Sequence, residues 1–144
     1  FAGGKSLFDR ARQEARESRI DGRPDILGSD IDARSIDLCK KHAKKAGVMV
    51  NWKVAPLKEL STDKSGGLIV CNPPYGERMM EKREAEALYR EMRHKFDELD
   101  NWQVSVITAY RDFERIYGKR ADKRRKLSNG GMVCTMYQYF KRND

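Results

Sequence analysis

Gly67-Leu68-Ile69-Val70-Cys71-Asn72-Pro73-Pro74-Tyr75 is the stretch that decides the fold. Its first five residues read as a buried strand. The two prolines end that strand, because neither carries the N–H that a sheet ladder needs. A rigid turn therefore stands at the carboxyl end of the strand, where open α/β sheets bind ligands. The chemistry of the turn suits the exocyclic amine of a planar base. The Asn72 amide oxygen and the Pro73 carbonyl can accept its two hydrogens, and neither Pro73 nor Pro74 offers a competing donor. Tyr75 adds an aromatic face on which a base can stack. Methyl transfer to such an amine needs this combination. The plain alternative is an ordinary strand-ending turn, since Asn and Pro are common turn residues.

Working outward from the turn, strands alternate with helices. Residues 5–20 set Leu7, Phe8, Ala11, Ala15 and Ile20 among charges at helical spacing, and Asp21-Gly22-Arg23-Pro24 breaks the pattern. Residues 26–30 read as a short strand. Asp32 caps a helix running to Ala46, whose apolar face is Ile36, Leu38 or Cys39, and Ala43; Gly47 stops it. Residues 49–54 form a strand ended by Pro56. After the proline turn come a helix over 84–99, a strand over 102–109 and a short helix over 110–118. The chain closes on a hairpin, with strands over 124–127 and 132–140 joined at Ser128-Asn129-Gly130-Gly131. This order predicts an α/β fold, mostly parallel, with an antiparallel hairpin at its C-terminal edge.

The 144 residues suffice for one domain, and 36% of them are charged. No apolar stretch approaches the roughly 18 residues of a membrane span, and no secretory signal pattern opens the chain. Cys39, Cys71 and Cys134 are widely spaced, without a CxxC pair and with only two histidines beside them. The expectation is therefore no metal site, no disulfide framework and a reducing cytoplasm. A net charge of +8 fits an acidic partner such as nucleic acid, although a solvated lysine-rich surface gives the same number. The run Lys119, Arg120, Lys123, Arg124, Arg125 and Lys126, interleaved with Tyr117, Tyr137 and Tyr139, is the candidate for phosphate contacts. As a charge cluster alone it is more often a solvated face. Lys40, Lys41, Lys44 and Lys45 read as the wet face of a helix, and Trp52 and Trp102 as packing residues.

The segments ILGSDID (26–32), NPPYGERM (72–79) and RADKRRKLSNGGMVCTMYQYF (120–140) resemble the large-subunit ribosomal RNA guanine-N2 methyltransferase family. Its members are often described as N6-adenine-specific DNA methylases. The resemblance covers about residues 1–142 and implies a Rossmann-like class I methyltransferase sheet with S-adenosylmethionine as cofactor. It also implies 23S ribosomal RNA as partner and an N-terminal THUMP domain in the full-length protein. Carried over position by position, Asp30 accepts the ribose hydroxyls of the cofactor and Ile31 packs on its adenine. Many relatives hold the adenine amine with an acidic or amide side chain near the end of the third strand. Here the stretch is Lys53-Val54-Ala55-Pro56, so a contact at Ala55 must come from backbone atoms. Asn72 and Pro73 accept the amine, Pro74 completes the motif and Tyr75 stacks the base. Gly76 lets the backbone approach the substrate, Arg78 extends the site, and Lys123, Arg124, Arg125 and Lys126 meet phosphates.

One departure is large. The family's glycine-rich cofactor loop and the strand before it are missing; Gly3-Gly4 has neither the spacing nor the strand. The chain thus reads as the C-terminal part of one methyltransferase domain. In the class I order the missing strand lies between those ending at Asp30 and Cys71, so two apolar edges would be left open. The fragment alone is then expected to fold poorly, bind cofactor weakly and be inactive. Competing readings are an adenine-N6 DNA methyltransferase, a protein glutamine methyltransferase (which the basic balance disfavours) and a non-catalytic RNA-binding module that kept the fold.

Overall fold

A glycine facing a tryptophan sets each parallel strand pair. In the computed structural model, which describes residues 4–20, 22, 25–76, 79–129 and 131–140, β1 (Leu27–Asp30) runs parallel to β2 (Asn51–Val54) with Gly28 opposite Trp52. β3 (Gly67–Cys71) runs parallel to β4 (Trp102–Thr108) with Gly67 opposite Trp102. A Cβ at Gly28 would lie 2.2 Å from the Trp52 ring, and one at Gly67 would lie 2.6 Å from the Trp102 ring. Each indole fills the space its partner leaves, which offsets the weakness of a glycine inside a strand. Trp102 also donates its Nε1 hydrogen to the Lys64 carbonyl at 3.0 Å. Both tryptophans are packing residues, as the sequence suggests.

The chain divides into two compact units, Phe1–Val54 and Ala55–Asp144. The first holds α1 (Gly4–Glu17), β1, α2 (Ala33–Ala46) and β2. Asp32 caps α2 by accepting the Arg34 amide at 3.0 Å, and Gly47 ends it at φ 67° with its N–H on the Ala43 and Lys44 carbonyls. Ile36 is buried, Cys39 half-buried and Leu38 exposed, so Cys39 rather than Leu38 shares the inner face. In α1 the predicted helix forms but buries nothing, and Leu7 and Phe8 stay about two-thirds exposed (66% and 69%).

The second unit runs from a single 3-10 turn (Leu57–Glu59) through β3, α3 (Met79–Asp97), β4, α4 (Phe113–Tyr117), β5 (Lys123–Asn129) and β6 (Met132–Tyr139). Its sheet has the order β3-β4-β6-β5, parallel at the first contact and antiparallel at the other two. α3 and α4 pack on one face, where Tyr89, Phe113 and Val106 are fully buried. α3 begins at Met79 rather than near residue 84. Gly76, three residues before it in sequence, has φ 64°.

One expectation needs correction. β3 is not buried on both faces. Ile69 and Cys71 lean toward the helices, but Leu68 and Val70 remain 59% and 58% exposed, because among the described residues nothing covers their side of the sheet. β1–β2 and β3–β4 form two separate ladders, in line with the expectation that the first strand of the class I order is missing. Among the described residues no strand bonds the second edge of β1 or of β3, the place the class I order gives to the first strand.

Candidate active site

At the carboxyl end of β3 the proline turn is held from three sides. The Tyr75 hydroxyl donates to Asn72 Oδ1 at 2.8 Å and lies 3.6 Å from the Cys134 sulfur. An amide oxygen has two lone pairs, so one remains for an incoming N–H. The Pro74 carbonyl accepts the Tyr89 hydroxyl at 2.7 Å. Among the described residues no donor takes the Pro73 carbonyl. Asn72 Oδ1, one of the two oxygens that the chemistry of the motif needs, keeps accepting capacity. Asn72 is exposed, Pro73 buried and Tyr75 half-buried, an arrangement that anchors the turn from behind while its acceptor stays open.

Beside Tyr75 a cavity of about 380 Å³ opens, lined by Pro74, Tyr75, Gly76 and the first turns of α3. That volume lies within the range of small-molecule sites. Gly76 also has a reason within the fold to lack a side chain. A Cβ there would lie 2.7 Å from Lys82 Cα and 3.0 Å from the Glu81 carbonyl, so the close approach is to α3. Arg78 and Glu77 lie outside the described residues.

The hydroxyls around the turn stay protonated at neutral pH. The Cys134 thiol beside Tyr75, together with burial, pushes its hydroxyl up, and burial pushes Tyr89 up. Cys71, at the end of β3, is pushed up to about 12 by burial and is an inert thiol. None of these groups is a base, which suits a reaction in which dipoles and position do the work.

The cofactor candidates sit at other strand ends. Asp30 ends β1 and is exposed; its Oδ1 accepts the Asp32 amide at 2.8 Å, which fixes the carboxylate and leaves Oδ2 for a ribose hydroxyl. Ile31 next to it is 74% exposed, a large apolar side chain with nothing among the described residues to cover it. That exposure fits a residue meant to pack on a ligand's ring. Ala55 follows β2 and is buried, so it offers a ligand no side-chain contact.

The basic run is less uniform than its sequence. On β5, Arg124 and Lys126 pair with Tyr137 and Thr135 and point to the helix-covered face, while Lys123 and Arg125 pair with Gln138 and Met136 and point to the other. Arg124 is committed. Glu114 on α4 takes its Nε at 3.0 Å and Nη2 at 2.7 Å. The interleaved tyrosines are not at the surface. Tyr117, Tyr137 and Tyr139 are 3%, 7% and 4% exposed and form an aromatic stack on Phe113, with ring centroids 4.9–5.0 Å apart. They fall at the inward positions of β6 and α4, so core packing claims them.

Sequence reading missed Tyr89, Thr108 and Glu114. A signal for the first was present: a Pro-Pro turn has no N–H to anchor itself and must borrow a donor from elsewhere.

A family model described as RMKL-like, methyltransferase domain, matches residues 2–138. The chain belongs to this family. It is 40% identical over 142 residues to "Putative RNA methyltransferase YpsC" of Bacillus subtilis, covering 96% of this chain and 37% of that protein. It is 32% identical over 135 residues to a "Ribosomal RNA large subunit methyltransferase K/L" of Legionella pneumophila, covering 92% and 19%. The crystal structure of a possible methylase from Clostridium difficile superposes with a TM-score of 0.87 at 35% identity, over 97% of this chain and 38% of that one. That of "SMU.472, a putative methyltransferase complexed with SAH" does so at 0.85 and 36%, over 96% and 38%. The chain thus spans less than two-fifths of the length of each. SAH is what S-adenosylmethionine becomes on giving up its methyl group, so SMU.472 holds the spent form of that methyl donor.

Proposed function

We propose that this chain is the C-terminal part of an S-adenosylmethionine-dependent methyltransferase domain that modifies the N2 amine of a guanine in large-subunit ribosomal RNA. The observation that carries the reading is the turn anchored through Asn72 Oδ1 and the Pro74 carbonyl, with Asn72 exposed on it. The cofactor supplies an electrophilic methyl group on a sulfonium. The guanine amine is a poor nucleophile, because its lone pair is delocalised into the ring. Accepting its two hydrogens at Asn72 and Pro73 pyramidalises the nitrogen and aims the lone pair at the methyl carbon. A bound cofactor would give up its methyl group to that nitrogen with loss of its C–S bond, and the amine's extra proton would leave to water. No strong base is needed, so most of the acceleration comes from position and from dipoles already set. Tyr75 holds the unstacked base, worth about 1–3 kcal/mol per stacked base.

Asp30, Ile31 and backbone at Ala55 would hold the cofactor, together with a glycine-rich loop that these 144 residues do not contain. The fragment alone then binds cofactor weakly and does not turn over. Lys123, Arg125 and Lys126 would meet phosphates and Arg78 would extend the site, while Arg124 is held by its pair with Glu114. A THUMP domain in the full-length protein would supply further RNA contact. The cysteines are free, which suits a reducing cytoplasm.

The test is transfer of tritiated methyl to undermethylated ribosomal RNA by the full-length protein. Asn72→Ala is expected to lower kcat about 10²–10³-fold, the range for losing one oriented polar contact at a reacting centre. Near-normal turnover of the variant would sink the assignment.

A further inference from the structure

The turn that carries Asn72 and Pro73 cannot anchor itself, since Pro73 and Pro74 lack N–H groups. Its tether comes from the next helix. Tyr89 on α3 is completely buried, and its hydroxyl donates to the Pro74 carbonyl at 2.7 Å. Its ring is wedged edge-on against Tyr110 and Phe113, with centroids 5.4 and 5.0 Å away, so the oxygen has little freedom. Thr108, at the carboxyl end of β4 and 1% exposed, places its Oγ1 3.3 Å from the Tyr89 oxygen. That Oγ1 already accepts the Tyr110 amide at 3.0 Å. The protons then have one consistent order. Tyr110 N–H goes to Thr108, Thr108 O–H to Tyr89, and Tyr89 O–H to Pro74. Each hydroxyl accepts once and donates once, and such chains strengthen cooperatively in a buried setting.

We infer that Tyr89 is a positioning residue for methyl transfer, its hydroxyl holding the Pro74 carbonyl so that Asn72 Oδ1 and the Pro73 carbonyl stay aimed at the amine. Thr108 sets the direction of that hydroxyl. The inference rests on the function proposed above. It adds that the acceptor turn of β3 is referenced to the end of β4 through a side chain that never touches substrate.

Tyr89→Phe in the full-length protein keeps the ring and removes the tether. The expected result is a fall in kcat of about 10–100-fold, as for displacement of reacting groups by a fraction of an ångström to one ångström. KM for RNA and the affinity for S-adenosylmethionine stay within about twofold, because the lost contact acts in the transition state. Amide exchange at Tyr75 and Gly76 accelerates, a readout independent of activity. Thr108→Val gives a smaller loss, and the double variant is no worse than Tyr89→Phe alone, since both break one chain. Wild-type kcat in Tyr89→Phe, with Asn72→Ala inactive, would overturn the inference and leave the proposed function standing. A kcat loss matched by equal loss of cofactor affinity would also overturn it, marking Tyr89 as merely structural. Full activity of Asn72→Ala would overturn the function itself.

Discussion

Gly76 shows how much one missing Cβ decides. It follows the proline turn at φ 64°, with its backbone against Lys82 and the Glu81 carbonyl of α3. Gly76→Ala adds a left-handed penalty and a clash with backbone that cannot move aside. It should cost about 2–4 kcal/mol, read as a shift in urea midpoint at constant slope. A shift worth under about 0.5 kcal/mol would show that the turn relaxes freely. At this scale the site was partly legible. Asn72, Pro73 and Tyr75 declare their chemistry through residue type alone. Tyr89 does not, because its role depends on which carbonyl lies over it in three dimensions, and no local spacing carries that information.

Among the elements, β5 is the one whose sequence misleads. A run of Lys123, Arg124, Arg125 and Lys126 reads as a single positive patch, but strand alternation sends successive charges to opposite faces. It is also the edge strand of its sheet, where charges prevent pairing with another chain whatever else they do. The Glu114 pair separates the roles. Arg124→Ala should lower the melting temperature and change the salt dependence of RNA binding little. Arg125→Ala with Lys126→Ala should leave stability alone and reduce the slope of log K against log salt by roughly 1–2, as two lost phosphate contacts require. An unchanged slope in the double variant would remove β5 from the RNA interface. The caps of α2 were legible, since Asp32 and Gly47 act through their own side chain and backbone. The inward tyrosines of α4 and β6 were not, because a basic run between aromatics looks the same whether the rings face water or core.

For the molecule as a whole, buried acids without charge set the alkaline limit. Burial raises Cys71 from 9.0 to about 12, and burial with the Glu86 carboxylate raises Tyr110 from 10.0 to about 12. Tyr117 and Tyr139 are pushed up further by burial. Above pH 9 the unfolded chain releases these protons while the folded one keeps them. The stability they add is complete below about pH 9 and declines as pH rises toward 12. The melting temperature should therefore fall steadily over that window, and a flat profile would contradict the burial of the aromatic stack. The order of elements was legible because hydrophobic periodicity is local. The open edges of β1 and β3, and the bare Leu68 and Val70, were legible only through the family resemblance, which places a strand where the described residues form none. The most direct test of the account is the identity of the methylated nucleoside. Undermethylated large-subunit RNA is treated with the full-length protein and S-adenosylmethionine, digested to nucleosides and resolved by mass spectrometry. The account predicts N2-methylguanosine, absent when Asn72→Ala is used; N6-methyladenosine, or label only in DNA or protein, would contradict it.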